Sequence, residues 1–65
     1  MQDNTTLWTI LEKLQERKYS SSTHQQILKH MAISKRKGKD ITEKVLYILM
    51  RTEDEEKILK NIMEL

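Results

Sequence analysis

A chain of 65 residues, 37% hydrophobic and 34% charged, has room for one small domain, and its net charge of +2 selects no class of partner by itself. Cysteine is absent, which excludes disulfides and thiolate metal sites and suits a reducing cytosol, so a cytoplasmic location is the expectation. No apolar stretch nears the ~20 residues of a membrane span, and the first residues lack the charged-then-apolar pattern of a secretory leader, so no membrane association is expected.

So short a chain buries only about 60% of the surface that its unfolded form exposes, and oligomerisation is the supplement left once disulfides and metals are set aside. Zero proline and a single glycine disfavour hairpins and point to helix. The first helix is expected over roughly residues 5–18, behind polar caps at Asp3, Asn4, Thr5 and Thr6. Leu7, Ile10, Leu11 and Leu14 recur at i, i+3, i+4 and i+7, one helical stripe that Trp8 widens. Like-charge pairs Glu12–Glu16 and Lys13–Arg17 stand at i, i+4, so packing rather than local ion pairing must hold this helix.

Ser20-Ser21-Ser22 interrupts the pattern, and Ser22 with Gln25 reads as a capping box for a second helix over 22–36. Ile27, Leu28 and Met31 are its apolar stripe, Lys35, Arg36 and Lys37 its last turn, and Gly38 a suitable residue just past its end. Asp40 with Glu43 opens a third helix over 41–51. There Ile41, Val45, Ile48 and Leu49 make a primary stripe, and Leu46 and Met50 a second. Thr52 with Glu55 reads as the cap of a fourth helix over 53–64, carrying Ile58, Leu59, Ile62 and Met63. The six-residue apolar run Val45–Met50 also fits a strand, but the flanking caps and the lack of a hairpin partner favour helix. The predicted architecture is a single all-α domain over 1–65, a bundle of three or four short helices in which sequential helices are neighbours, expected to be dimeric.

That expectation of association rests on Val45–Met50. Its apolar residues cover nearly the whole circumference of a helix, more than three short helices can shield. Trp8, Leu11, Leu46, Leu49 and Met50 are the candidate contacts, with a second copy or with a larger protein. Charge is distributed unevenly as well: residues 35–39 alone contribute +4, and Lys35, Arg36, Lys37 and Lys39 are candidate nucleic-acid phosphate contacts. The bland reading of the same cations is stabilisation at a helix C-terminus. Likewise Glu53-Asp54-Glu55-Glu56 reads as helix-start chemistry before it reads as a docking site.

No catalytic, cofactor or metal motif stands out. His24 and His30 are about 240° apart around a helix and cannot share an ion from one helix. There is no glycine-rich phosphate loop, paired carboxylate or nucleophile elbow, and enzymatic activity is not expected of so small a helical chain. Richness in Lys, Ile, Met and Glu suits an A+T-rich genome, and by class-level analogy the size and charge resemble small helical regulators carried by bacteria, phages and plasmids. The function expected is regulation by binding a larger protein, for example a transcription regulator. DNA binding through 35–39 is the alternative, and a purely structural assembly subunit the third reading.

Overall fold

The computed structural model describes residues 5–65, so the caps expected at Asp3 and Asn4 lie outside the described residues. Four helices form: α1 (Thr5–Glu16), α2 (Ser21–Arg36), α3 (Thr42–Arg51) and α4 (Glu55–Met63). Val45–Met50 lies wholly within α3, and no strand occurs among the described residues. The all-α bundle expected from the sequence is therefore the fold, with four helices.

Each helix buries one narrow row of side chains. Ile10 and Leu14, Ile27 and Met31, Val45 and Leu49, and Ile58 and Ile62 are all pairs four residues apart, which is the spacing that stacks side chains on one helical face. Ile41, just ahead of α3, completes the core of nine buried apolar residues. At roughly 1.5–3 kcal/mol for each fully buried Ile, Leu or Val, this row-on-row packing supplies the main driving force for folding.

The helix partners differ from the expected neighbour-by-neighbour order. Packing is chiefly of α1 on α3 and of α2 on α4, with α3 and α4 joining the two pairs. The turns explain this. Arg17 Nη1 donates to the Thr52 carbonyl at 3.0 Å and to the Tyr19 hydroxyl at 3.2 Å, and the Tyr19 hydroxyl donates to the Glu53 carbonyl at 2.7 Å. The α1–α2 turn is thus fastened to the α3–α4 turn, so the C-terminal ends of α1 and α3 are brought together.

Two helices end in the same way. After α2, Gly38 at φ +84° lets its N–H reach the Lys35 carbonyl, while the Lys39 N–H reaches the Ser34 carbonyl, each at 2.9 Å. After α1 the same double bond joins Lys18 to Gln15 and Tyr19 to Leu14, but here the left-handed residue is Lys18, at φ +57°. The sequence pointed to the first of these ends through its glycine and gave no sign of the second.

Three caps form one or two residues from where the capping boxes placed them. Ser20, not Ser22, caps α2, its hydroxyl accepting the Thr23 N–H at 3.2 Å. Ser22 instead accepts from Gln26 Nε2 one turn on. Asp54, not Thr52, caps α4 by accepting the Lys57 N–H at 3.1 Å, and Thr52 Oγ1 takes the Asp54 N–H. At α3 the cap position is Ile41, without a side-chain bond, and Asp40 Oδ1 accepts the N–H and hydroxyl of Thr42. In a serine-rich or acid-rich run several residues satisfy the same rule, and the docked turns choose among them.

Candidate functional site

The apolar run that suggested association is largely covered by its own chain. Val45 and Leu49 are fully buried, and Leu46 and Ile48 are half-buried against the core. Leu49 was a candidate contact, but it follows Val45 by four residues on the inward face and has no surface to offer. What remains outside is Tyr47, 61% exposed, and Met50, 62% exposed. Trp8 on α1 is 64% exposed, and Leu11 is half-buried. Because α1 packs on α3, these large side chains belong to one helix pair. Thr6, Glu43, Leu46, Tyr47 and Met50 border a shallow depression between the two helices. Arg51 fixes one of its walls, with Nη1 donating to the Tyr47 hydroxyl at 2.8 Å and the guanidinium carbon 5.3 Å from the ring centre.

The basic candidates Lys35, Arg36, Lys37 and Lys39 are all exposed, at and beyond the C-terminal end of α2. Lys39 Nζ donates to the Leu65 carbonyl at 2.6 Å, so one of the four also tethers the last residue of the chain. The cationic stretch extends well beyond the 35–39 run. From Arg17 to Lys39, a span that contains all of α2 and its flanking turns, there are seven cations and no Asp or Glu, whereas the rest of the chain has five cations and ten acids.

At the opposite end of α2 the charge reverses. Glu55 Oε2 accepts from the Ser20 N–H and hydroxyl and from the Thr23 hydroxyl, so a carboxylate of α4 occupies the N-terminus of α2. The Thr23 hydroxyl above all, then the Ser20 N–H, holds the Glu55 carboxyl below the usual carboxylate range. The acids at 53–56 thus serve two helix starts, Asp54 their own and Glu55 a neighbour's. An α2 of 16 residues is about 24 Å long, and that length separates the Glu55 carboxylate at its start from the Lys35–Lys39 cations at its end.

A third surface lies between α1 and α2. Leu7 of α1, Leu28, Met31, Ala32 and Lys35 of α2, and Thr42 of α3 line a groove of about 230 Å³. None of these but Leu7, Leu28 and Met31 belonged to an apolar stripe in the sequence. The groove lies between two helices that each have a different principal partner, α1 packing on α3 and α2 on α4.

His24 Nε2 and the Leu14 carbonyl are 3.1 Å apart, so this histidine fastens the end of α1 to the start of α2 when that nitrogen carries the proton. Among the described residues no three His, Cys, Asp or Glu side chains are grouped to hold a metal ion. No helix among them is long and apolar enough to cross a membrane. Compared with known proteins, the chain matches no family model, no curated protein and no solved structure.

Proposed function

We propose that this chain is a small, non-enzymatic regulatory module of the cytoplasm that acts by binding a larger protein, such as a transcription regulator. The observation that carries the reading is the exposure of Trp8, Tyr47 and Met50, each more than 60%, on the α1–α3 pair. Aromatic side chains anchor protein interfaces because they bury large areas at little conformational cost, methionine because its flexible, polarisable chain adapts to a partner's surface, and three such side chains on one small helix pair is a high density. A second copy of the chain is the competing partner for these side chains.

A pull-down from the native cell tests the proposal. One stoichiometric protein should be recovered and should be lost with Trp8→Ala or Tyr47→Ala, both at exposed positions where the fold is retained. Recovery of the chain alone, together with a dimer by light scattering that Trp8→Ala dissociates, replaces the proposal with self-assembly.

DNA-binding regulation is the second reading, supported by the exposure of Lys35, Arg36, Lys37 and Lys39 within the acid-free span. Retention on duplex DNA should then fall with salt and be abolished by Lys35→Glu with Lys37→Glu. Unchanged retention in that double variant removes this reading.

A further inference from the structure

We infer that the groove between α1 and α2 receives an acidic amphipathic helix from a partner protein. The inference rests on the protein-binding reading and adds to it a second surface and the chemistry of what lies there. Its floor is apolar: Leu7 is 38% exposed, Leu28 half-buried, Ala32 exposed. Its rim is cationic. Lys35 lines the groove, and Lys29, Ala32 and Arg36 fall at i, i+3 and i+7, so an exposed lysine and arginine bracket the groove-lining alanine along one stripe. No acid occurs anywhere on α2. Asp40, whose Oδ1 accepts the Thr42 N–H and hydroxyl, stays charged beside Lys35 and offsets part of that lysine's charge, so Lys29 and Arg36 carry most of the rim's positive charge.

These two features together select the occupant. A nucleic-acid backbone would meet the cations and leave Leu7 and Leu28 in water, since phosphates offer no apolar surface. A neutral apolar helix would cover the floor and gain nothing from the rim. A helix with an apolar stripe edged by Glu or Asp satisfies both at once. The dimensions agree. Leu28 to Lys35 spans seven positions of α2, about 10 Å, which is the reach of partner anchors at i, i+3 or i+4, and i+7.

The test is selection from a displayed library of helical peptides, randomised at every surface position, against the whole immobilised chain at about 0.15 M salt. Enriched sequences should carry apolar residues at i, i+3 or i+4, and i+7 flanked by Glu or Asp. Affinity for the winning peptide should fall about tenfold or more in Ala32→Arg, which fills the groove from an exposed helical position. Lys29→Glu with Lys35→Glu should shift the selected flanks from acidic to basic. Flanks without acidic bias, or binding indifferent to Ala32→Arg, overturn the inference. So does a duplex DNA competitor that occupies the surface while no peptide is enriched. Peptides lost with Tyr47→Ala but not with Ala32→Arg leave the protein-binding reading in place and remove the groove. A failed pull-down of the native partner bears on that broader reading instead.

Discussion

Glu55 Oε2 lies 3.0 Å from the Ser20 hydroxyl and 3.2 Å from the Ser20 N–H, across 35 positions of sequence. Ser20 is the cap of α2 and Glu55 the first residue of α4, so the start of one helix is satisfied by the start of another. Like-directed helix starts repel through their positive ends, and a shared carboxylate between them reverses the sign of that contact.

Removing the Glu55 charge should therefore loosen α2 against α4. Its folded pKa is lowered, by the Thr23 hydroxyl first and the Ser20 N–H next, so on acidification the unfolded chain takes up this proton first. The stabilisation is complete above the ordinary carboxylate range and is lost as pH falls through that range toward the lowered folded value. Thermal melts should show Glu55→Gln clearly below the parent near pH 7, with the gap closing near pH 3. A gap that persists in acid would mean that the side chain acts by shape and not by charge. Asp40, also lowered by its bonds to Thr42, titrates in both proteins and cancels from the comparison.

Lys18 and Gly38 hold the same left-handed position after their helices, and substitutions there should have opposite signs. A non-glycine residue in this conformation costs roughly 1–2 kcal/mol, partly offset by the greater freedom of glycine when unfolded. Lys18→Gly should stabilise by about 0.5 kcal/mol and Gly38→Ala destabilise by about 1 kcal/mol, read as shifts in urea midpoint at unchanged slope. A Cβ added at Gly38 would meet nothing within 4 Å beyond its chain neighbours, so the penalty there is conformational and not steric crowding.

Arg17 and Tyr19 tie the two turns together, and each should matter more than a surface residue does. Arg17→Ala leaves the Thr52 carbonyl without this donor and should cost about 1–2 kcal/mol, with Tyr19→Phe costing about 1 kcal/mol. The double variant should cost less than the sum, because Arg17 also donates to the Tyr19 hydroxyl. Strict additivity in urea unfolding would show that the two bonds are independent.

Leu49 and Met50 are adjacent in sequence and opposite in role. Leu49→Ala should cost about 2–5 kcal/mol by opening a cavity in the core, which threatens folding in a domain this small. Met50→Ala should change stability by no more than about 0.5 kcal/mol and show its effect in partner recovery. Equal losses of stability at the two sites would contradict their placement.

Much of this fold is legible in the sequence because helices are local. The recurrence of Ile27 and Met31, or of Ile58 and Ile62, reports which face turns inward whatever that face later meets. The end of α2 is legible in Gly38 for the same reason. Less legible are features for which one local rule has several claimants. Any serine of 20–22 would serve as a cap, and Ser20 is chosen by a carboxylate that arrives from residue 55. The left-handed turn at Lys18 carries no composition signal at all. Among the candidate contacts, Leu49 stands in the primary stripe of α3 and Met50 in the second, and the packing of α1 on α3 buries the first while leaving the second exposed.

The sequence by itself determined a bundle of three or four helices, their approximate bounds, apolar stripes that contain the inward rows and a concentration of cations past the end of α2, since each follows from the chemistry of residues within a turn or two. Tertiary structure decided which helices are partners, where the acid-free span faces, and that α1 and α2 part to leave a groove. Those outcomes depend on contacts between turns more than thirty residues apart, such as Arg17 with Thr52 and Ser20 with Glu55, and no local periodicity encodes a distance of that kind.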